Sequence, residues 1–182
     1  MRIIGGELGG RKIHPPNKMP HTRPTTDIAK EGLFNIVENN LDISELKTLD
    51  LFGGTGSISF ELASRGAVDQ TIVEKDSQMY EFIKKTAGQL RLEDLRVIKM
   101  DVFKFIDQCT EQFDFIFAGP PYALTEIDEL PKLVFEKIAE TKGWFVLEHT
   151  PRNDYKNFHS TKLKEIMEQP SFQYLLRTGS NR

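Results

Sequence analysis

The segment of residues 49–57, with the sequence LDLFGGTGS, decides the fold class of this chain. Its first residues form a short apolar run typical of a buried strand, and a cluster of glycines follows. Glycine lets a ligand approach the backbone closely, and the helix predicted over residues 58–67 offers unpaired N–H groups in its first turn. The segment predicts a nucleotide-like ligand across a strand-to-helix turn, although a turn without a ligand has the same pattern.

Two common phosphate-binding motifs do not fit this turn. The dinucleotide fingerprint needs a third glycine where Ser59 stands. A P-loop needs Gly-Lys followed by Ser or Thr, and no such sequence follows the turn.

Strand-like and helix-like segments alternate along the rest of the chain. A first helix is predicted after Thr25 or Thr26, either of which is a suitable N-cap. Strands are predicted over residues 48–52, 70–75, 95–100, 113–118 and 143–149, with helices over 58–67, 76–90, 102–109 and 130–140. This alternation predicts an α/β fold with a parallel sheet covered by helices on both faces. Near the end, the segment KLKEIMEQ (162–169) is predicted to be a helix.

Acidic residues stand at the ends of two of the predicted strands. Glu74 lies 18 residues after Gly56, close to the spacing of roughly 20 residues at which an acid reaches ribose hydroxyls. Asp101 follows the next strand, and parallel strands bring both acids to one edge of the sheet. A lone acid at a strand end is usually only a helix cap, but three features in register on successive strands indicate a ligand site.

The segment Gly119-Pro120-Pro121-Tyr122 follows the most apolar strand, FDFIFA. Two consecutive prolines make a stiff turn that cannot rejoin the sheet, and their carbonyl groups are left for other partners. Tyr122 offers a flat face on which a planar group can stack. Together with the glycine turn and the acids, this segment predicts a site for a planar substrate, although prolines also simply end strands.

Charge is distributed unevenly along the chain. The formal net charge is −3, yet residues 1–30 hold six basic and two acidic side chains. A basic segment beside an acidic remainder suggests contact with a polyanion, although a solvated tail has the same composition. Glycines and prolines dominate residues 1–25, so we predict a basic N-terminal arm or hairpin there and a single domain over residues 26–182.

Several classes of protein are excluded by composition. No apolar run approaches the roughly 20 residues of a membrane span, and no secretory signal is visible, so we expect a cytoplasmic protein without membrane contact. The single cysteine, Cys109, excludes a disulfide framework and is predicted to be an inert thiol. The histidines show no metal-ligand spacing, so no metal is expected and these residues are predicted to face the surface or RNA: His14, His21, His149 and His159.

Longer motifs connect the chain to a known family. The segments MRIIGGELGGRKI, RPTTDIAKEGLFN, LDLFGGTGSISFELASRGA, VEKD and PPY resemble the RsmD family, bacterial enzymes that methylate the exocyclic N2 of a guanine in 16S ribosomal RNA with S-adenosylmethionine. The resemblance covers about residues 1–150. It implies a Rossmann-like, doubly wound, mostly parallel seven-stranded methyltransferase sheet, with ribosomal RNA or the small ribosomal subunit as partner.

The resemblance also implies roles for individual residues. The methionine part and the ribose of the cofactor would contact Asp50, Phe52, Gly53, Gly54 and Gly56, with Glu74 beside Lys75 at the ribose hydroxyls and Asp101 and Val102 at the adenine. The residues expected in a loop over the site are Arg23, Pro24, Thr25 and Thr26. Gly119, Pro120, Pro121 and Tyr122 would position the target base, and Arg2, Arg11, Lys12 and Arg23 would meet RNA phosphates.

Gly119 departs from the family pattern, which has Asp or Asn before the two prolines. That side chain and the first proline's carbonyl accept the two N–H groups of the target amine, so a glycine removes one acceptor and is expected to reduce the rate by about 10²–10³. Asp114 is too far back along its strand to replace it, at about 16 Å. Glu148, at the end of the neighbouring strand, either replaces it or is a structural partner of Arg152.

Two alternative functions follow from the same residues. With Gly119, whether natural or introduced, the chain could hold cofactor and RNA as a binding module that methylates slowly or not at all. The same site could also methylate a DNA adenine or a protein glutamine, although RPTTD and LFN argue for the ribosomal RNA substrate.

Overall fold

The computed structural model describes residues 1–19, 25–150, 152–153 and 155, and the backbone of two further strands, Leu163–Gln169 and Phe172–Thr178. The helices are α1 (Asp27–Asn40), α2 (Ser57–Ser64), α3 (Ser77–Gln89), α4 (Val102–Gln108) and α5 (Leu130–Lys137). The strands are β1 (Lys47–Leu51), β2 (Asp69–Glu74), β3 (Arg96–Lys99), β4 (Phe113–Ala118), β5 (Ala139–His149), β6 (Leu163–Gln169) and β7 (Phe172–Thr178). Single 3₁₀ turns lie at Ile43–Glu45 and Ile127–Glu129.

The strands form one sheet in the order β3-β2-β1-β4-β5-β7-β6. Strands β1 to β5 are parallel, and β7 and β6 extend the sheet from β5 in antiparallel orientation. The predicted doubly wound, mostly parallel α/β sheet is therefore confirmed, and five of its seven strands form the parallel part. The chain reverses its direction of travel across the sheet between β1 and β4, which is where open α/β sheets bind ligands.

Both faces of the parallel sheet are buried under helices. In β4, Phe115 and Phe117 belong to the apolar cluster that contains Leu33 and Val37 of α1. The alternate residue Ile116 belongs to a second cluster, which includes side chains of α4 and α5. This two-sided burial explains why the central strands read as continuous apolar runs. In the described part of the chain, no helix is long and apolar enough to cross a membrane.

Side chains cap three of the helices, and the cap predicted at Thr25 or Thr26 is confirmed at Thr26. The Thr26 hydroxyl accepts from the Ala29 N–H at 3.3 Å and begins α1. The Asp76 carboxylate accepts from the Met79 N–H at 2.9 Å, and Asp101 caps α4. Each cap satisfies an N–H group that has no partner within the helix. The caps at Asp76 and Asp101 place the starts of α3 and α4 next to the carboxyl ends of β2 and β3.

The end of the chain differs from the sequence prediction. The predicted helix over KLKEIMEQ is wrong, because Leu163–Gln169 is strand β6 and pairs with β7. Strand β7 in turn pairs with β5, with Trp144 opposite Thr178. The free edge of β5 supplies backbone partners that no local pattern reveals, and such partners override weak helix propensity. The strand β5 also begins at Ala139 rather than Gly143, which shortens the predicted helix before it.

The first 13 residues are packed against the domain instead of lying in solvent. Arg2 and Lys12 form an antiparallel bridge, as the predicted hairpin requires. Ile3 and Ile13 are buried in a cluster with Phe60 of α2 and apolar side chains of β2 and α3. The solvated-tail interpretation therefore fails for this segment, while the domain boundary at residues 25 and 26 stays a prediction.

A buried carboxylate on α2 holds the N-terminal arm in place. Glu61 is fully buried and accepts from the N–H groups of Ile4 and Gly5 at 3.0 and 2.9 Å. Its carboxylate also pairs with Lys30 Nζ at 3.1 Å and with Arg65 at 2.9 Å. Burial alone would raise the pKa of Glu61, but these N–H groups and the Lys30 charge lower it below its ordinary value.

Removing the Glu61 charge should destabilise the whole chain. Glu61→Gln leaves Lys30 buried without its counter-ion, and breaking a buried pair in this way typically costs about 3–5 kcal/mol. Glu111→Gln is the matched control, since Glu111 pairs with Lys47 and Arg96 at the surface and such pairs contribute about 0–1 kcal/mol. Denaturant unfolding at pH 7 measures both free energies.

The pH dependence gives a second check on the same variant. Because the pKa of Glu61 is lowered by folding, its stabilisation is present above the ordinary glutamate pKa of about 4.3 and is lost as the pH falls further. The difference in the free energy of unfolding between wild type and Glu61→Gln should therefore become smaller at acid pH. A Glu61→Gln cost at pH 7 no larger than that of the Glu111 control contradicts this account of the arm.

Candidate functional site

A large cavity opens at the carboxyl ends of strands β1, β2, β4 and β5. Its volume is about 960 Å³. The sequence-predicted residues that line it are Thr25, Asp50, Phe52, Gly53, Gly54, Glu74, Lys75, Asp101, Val102, Gly119, Pro120, Pro121 and Tyr122. The glycine turn, the strand-end acids and the proline segment, which are far apart in sequence, thus meet around one space.

The turn after β1 has the tight backbone that its glycines predict. Gly54 and Gly56 have positive φ angles of 55° and 76°, and Phe52 also lies at φ 68°, an unusual conformation for a bulky residue. A Cβ at Gly53 would clash with Ile72 of β2, and one at Gly56 would clash with the Phe60 ring. These glycines are required by packing, and Gly56 does not line the cavity.

Glu74 joins the glycine turn to the end of β2. Its Oε2 accepts from the Gly54 N–H at 2.7 Å, and its Oε1 accepts from the Asp76 N–H at 2.8 Å. The side chain is nearly buried, with 8% of its surface exposed. A carboxylate has about four acceptor positions, so Glu74 can hold the turn and still accept from hydroxyl groups of a ligand.

Asp50 is a buried carboxylate with one satisfied oxygen. Ser59 donates to Oδ2 at 2.9 Å, whereas Oδ1 is buried and has no hydrogen-bond partner among the described residues. Burial, with a smaller contribution from the charge of Glu74, raises the pKa of Asp50 to about 8. An unsatisfied buried acceptor that lines a cavity is a place where a ligand's N–H or ammonium group fits.

Asp101 and Lys75 line the cavity with partly exposed side chains. The Asp101 Oδ1 accepts from the Phe103 N–H at 3.0 Å, so this acid is a helix cap as well as a lining residue. Lys75 Nζ lies 3.9 Å from the other Asp101 oxygen. The apolar side chains of Val102 and Phe103 complete this wall and offer a surface for a flat ring.

The proline segment lines the same cavity. The Pro121 carbonyl accepts from the Leu124 N–H at 2.9 Å and closes a turn. Tyr122 is 53% exposed beside this turn, so a planar group can reach its ring. Glu148, at the end of β5, also lines the cavity. A nucleotide-like pocket and a stacking position are therefore parts of one space.

Several sequence-predicted residues lie elsewhere. Thr26 caps α1 and does not line the cavity, and Arg23 and Pro24 fall outside the described residues. In the arm, Arg11 and Lys12 are exposed, and the Arg2 guanidinium pairs with Asp27 at 2.8 Å. None of these three basic side chains lines the cavity, and their contact with RNA phosphates stays a prediction.

One histidine prediction is wrong. His149 is buried rather than at the surface, because it ends the central strand β5 and packs edge-on against Tyr155 with ring centroids 5.0 Å apart. Its Nδ1 lies 3.0 Å from the Thr150 carbonyl oxygen. His14 is exposed as predicted, and His21 and His159 fall outside the described residues. The Cys109 thiol donates to the Glu111 carbonyl at 3.6 Å, and its inertness stays a prediction.

Sequence reasoning missed a further group of lining residues. They are Thr55, Ser57, Ile58, Val73, Asp76, Phe103, Phe117, Leu124, Ile127, His149, Thr150, Arg152 and Asn153. The polar residues after β5 could have been predicted from their position, because the carboxyl ends of all parallel strands meet at one edge of the sheet. Within the described ranges, no three or more His, Cys, Asp or Glu side chains cluster in a way that could hold a metal ion.

Comparison with known proteins agrees with this arrangement. A family model described as "Conserved hypothetical protein 95" matches residues 1–173. The chain is 32% identical over 144 residues to "Ribosomal RNA small subunit methyltransferase D" of Escherichia coli (strain K12), covering 79% of this chain and 69% of that protein. It is 35% identical over 140 residues to the protein of the same name from Haemophilus influenzae, covering 75% of this chain and 71% of that protein.

Solved structures show the same fold over the full length. The chain superposes on "Putative methyltransferase yhhF" from Escherichia coli with a TM-score of 0.87 and 25% identity, over 100% of this chain and 99% of that one. The matched model spans the glycine turn, the strand-end acids and the proline segment. The chain therefore belongs to the Conserved hypothetical protein 95 family, which is the RsmD family that its N-terminal motifs resemble.

Proposed function

We propose that this chain is an S-adenosylmethionine-dependent methyltransferase that modifies the exocyclic N2 of a guanine in 16S ribosomal RNA. The observation that carries the proposal is the cavity that joins Asp50 and Glu74 to Pro120, Pro121 and Tyr122. The names of the relatives, which are ribosomal RNA small subunit methyltransferases, support the substrate. A cytoplasmic location goes with this proposal and stays a prediction.

The residues around Asp50 and Glu74 fit the cofactor. When bound, S-adenosylmethionine supplies a methyl group that is already activated by a positive sulfur. Asp50 offers a buried, unsatisfied oxygen for the ammonium of the methionine part. Glu74 has acceptor positions left for the two ribose hydroxyls, beside Lys75. Asp101, Val102 and the backbone of Phe52, Gly53 and Gly54 complete the cofactor wall in this proposal.

The proline segment positions the base in this proposal. The Pro120 carbonyl accepts one N–H of the target amine, and Tyr122 stacks against the ring. Because the guanine amine is a weak nucleophile, the protein contributes mainly by holding its lone pair in line with the methyl group and excluding water. Thr25 borders this space, and we propose that Arg23 and Thr26 in the same segment help to cover it.

The basic arm supplies the contact with RNA phosphates. Arg11 and Lys12 are exposed on a segment that Glu61 and Lys30 fix to the domain. Arg2 is held by Asp27, two residues after the cavity residue Thr25. The arm is therefore a rigid basic surface connected to the site, and each phosphate it neutralises makes binding more sensitive to salt.

Cofactor binding should release a proton from Asp50. With a pKa of about 8, Asp50 is mostly protonated at pH 7, and an ammonium group beside it would lower that pKa. Up to about one proton should then leave per cofactor bound, so affinity should rise with pH up to about 8. Calorimetry in buffers of different ionisation enthalpy measures this number for wild type and Asp50→Asn, which cannot titrate. Equal proton release by the two proteins would contradict the role given to Asp50.

The proposed reaction has a defined product. Wild type with S-adenosylmethionine should convert guanosine to N2-methylguanosine in unmodified 30S particles or naked 16S RNA, as nucleoside mass spectrometry detects. Tyr122→Ala should reduce kcat/KM for RNA, because stacking of a base on an aromatic ring contributes about 1–3 kcal/mol, or about 5- to 150-fold.

Tyr122→Phe is the matched control, since it keeps the ring and should keep the activity. Cofactor affinity should be the same in all three proteins, because Tyr122 lies on the base wall. Methylation of adenine or of a protein glutamine alone, or cofactor binding without methyl transfer to either form of the RNA, would refute the proposed function.

A further inference from the structure

Gly119 and Glu148 stand side by side at the mouth of the cavity. Strands β4 and β5 are parallel neighbours, with Ala118 opposite Leu147, so the residues that follow these two lie next to each other. A Cβ placed on Gly119 would lie 3.2 Å from Glu148 Oε2 and 3.1 Å from the Phe117 ring. The Glu148 carboxylate therefore reaches the space where a side chain of residue 119 would begin.

The target amine needs two acceptors, and Gly119 has no side chain to provide one. The nitrogen lone pair is delocalised into the guanine ring, so both N–H bonds must be held for the lone pair to point at the methyl group. The Pro120 carbonyl provides one acceptor in the proposed function, and a carboxylate oxygen beside Gly119 is placed to provide the other. Positioned acceptors of this kind typically contribute about 10²–10³ to the rate.

We propose that the Glu148 carboxylate is the second acceptor of the target amine and that it selects guanine over adenine. This inference rests on the proposed function. As the amine nitrogen bonds to the methyl carbon, the carbon–sulfur bond breaks and its electron pair stays on sulfur. The amine then loses one proton, which the Glu148 carboxylate accepts and passes to water.

The selection follows from the shape of the base edges. Guanine presents two adjacent donors on its Watson–Crick edge, N1–H and the N2 amine, and a carboxylate with two acceptor oxygens matches both. Adenine presents an amine donor beside the N1 acceptor, and N1 would repel a carboxylate. A glutamine side chain, with one acceptor and one donor, matches adenine instead. Glu148 therefore serves both catalysis and specificity.

The effect of Gly119→Asp on the rate should change sign when Glu148 is removed. Glu148→Ala should lower the single-turnover rate of guanine methylation by about 10²–10³, with unchanged affinity for S-adenosylmethionine. When Gly119→Asp is added to Glu148→Ala, the single-turnover rate should rise at least tenfold. The reason is that Gly119 is not at positive φ and that removal of the Glu148 carboxylate leaves space for the new side chain. In wild type the same Gly119→Asp change should lower the rate, since two carboxylates would share one space.

Two controls separate this role from a structural one. Glu140→Ala removes an exposed carboxylate from the far end of the same strand and should change nothing. Arg152→Ala removes the alternative partner of Glu148 and should leave the ratio of guanine to adenine products unchanged. Glu148→Gln should raise the adenine share of the products at least tenfold, a change that loss of a purely structural contact would not cause.

The outcomes separate this inference from the proposed function. If wild type forms N2-methylguanosine and the Glu148 variants match it in rate and base choice, the inference fails and the function stands. If wild type is inactive and Gly119→Asp activates it, Glu148 is not a sufficient acceptor, and both the inference and the function proposed for the chain with Gly119 fail. If neither protein modifies guanine, the function itself fails.

Discussion

The carboxylate of Glu74 is the constraint on which the rest of the site depends. It accepts from the N–H groups of Gly54 and Asp76, so it ties the turn after β1 to the turn after β2. The same turn places Phe52 at positive φ and packs Gly53 against Ile72. A nearly buried carboxyl group at the end of β2 thus fixes the loop after the neighbouring strand β1, and this loop lines the cavity. A ligand that contacts Glu74 would therefore meet an acceptor already in position and would pay little for ordering it.

A second buried carboxylate organises the basic N-terminal arm, for which we propose contact with RNA. Glu61 and Lys30 bind the backbone of residues 2 to 5 and turn a glycine-rich segment into a fixed part of the domain. Buried ion pairs are expensive to form and add little net stability. Here the pair fixes where the arm lies relative to α2, and thus where Arg11 and Lys12 face solvent. Charges in this chain act mainly by fixing geometry.

The sequence predicted the features that depend on local chemistry. The strand-to-helix turns, the caps at Thr26 and Asp101 and the strand-end position of Glu74 all follow from short-range patterns. It did not predict β6, because the pairing of that strand depends on a free edge formed by a distant segment. It also placed His149 at the surface, since burial at the end of a central strand is a tertiary property. The sequence alone did not predict that Gly119 and Glu148 lie side by side, because their proximity depends on the register of β4 and β5.

The central claim is that the edge of the sheet around Glu74 binds S-adenosylmethionine, and titration calorimetry tests it most directly. Wild type should bind the cofactor, and Glu74→Gln should bind it at least about tenfold more weakly, as expected for loss of a charged hydrogen bond. Glu81→Gln, on the exposed face of α3, is the control and should bind as wild type does. Equal affinity in all three proteins, with Glu74→Gln shown to be folded, would contradict the account.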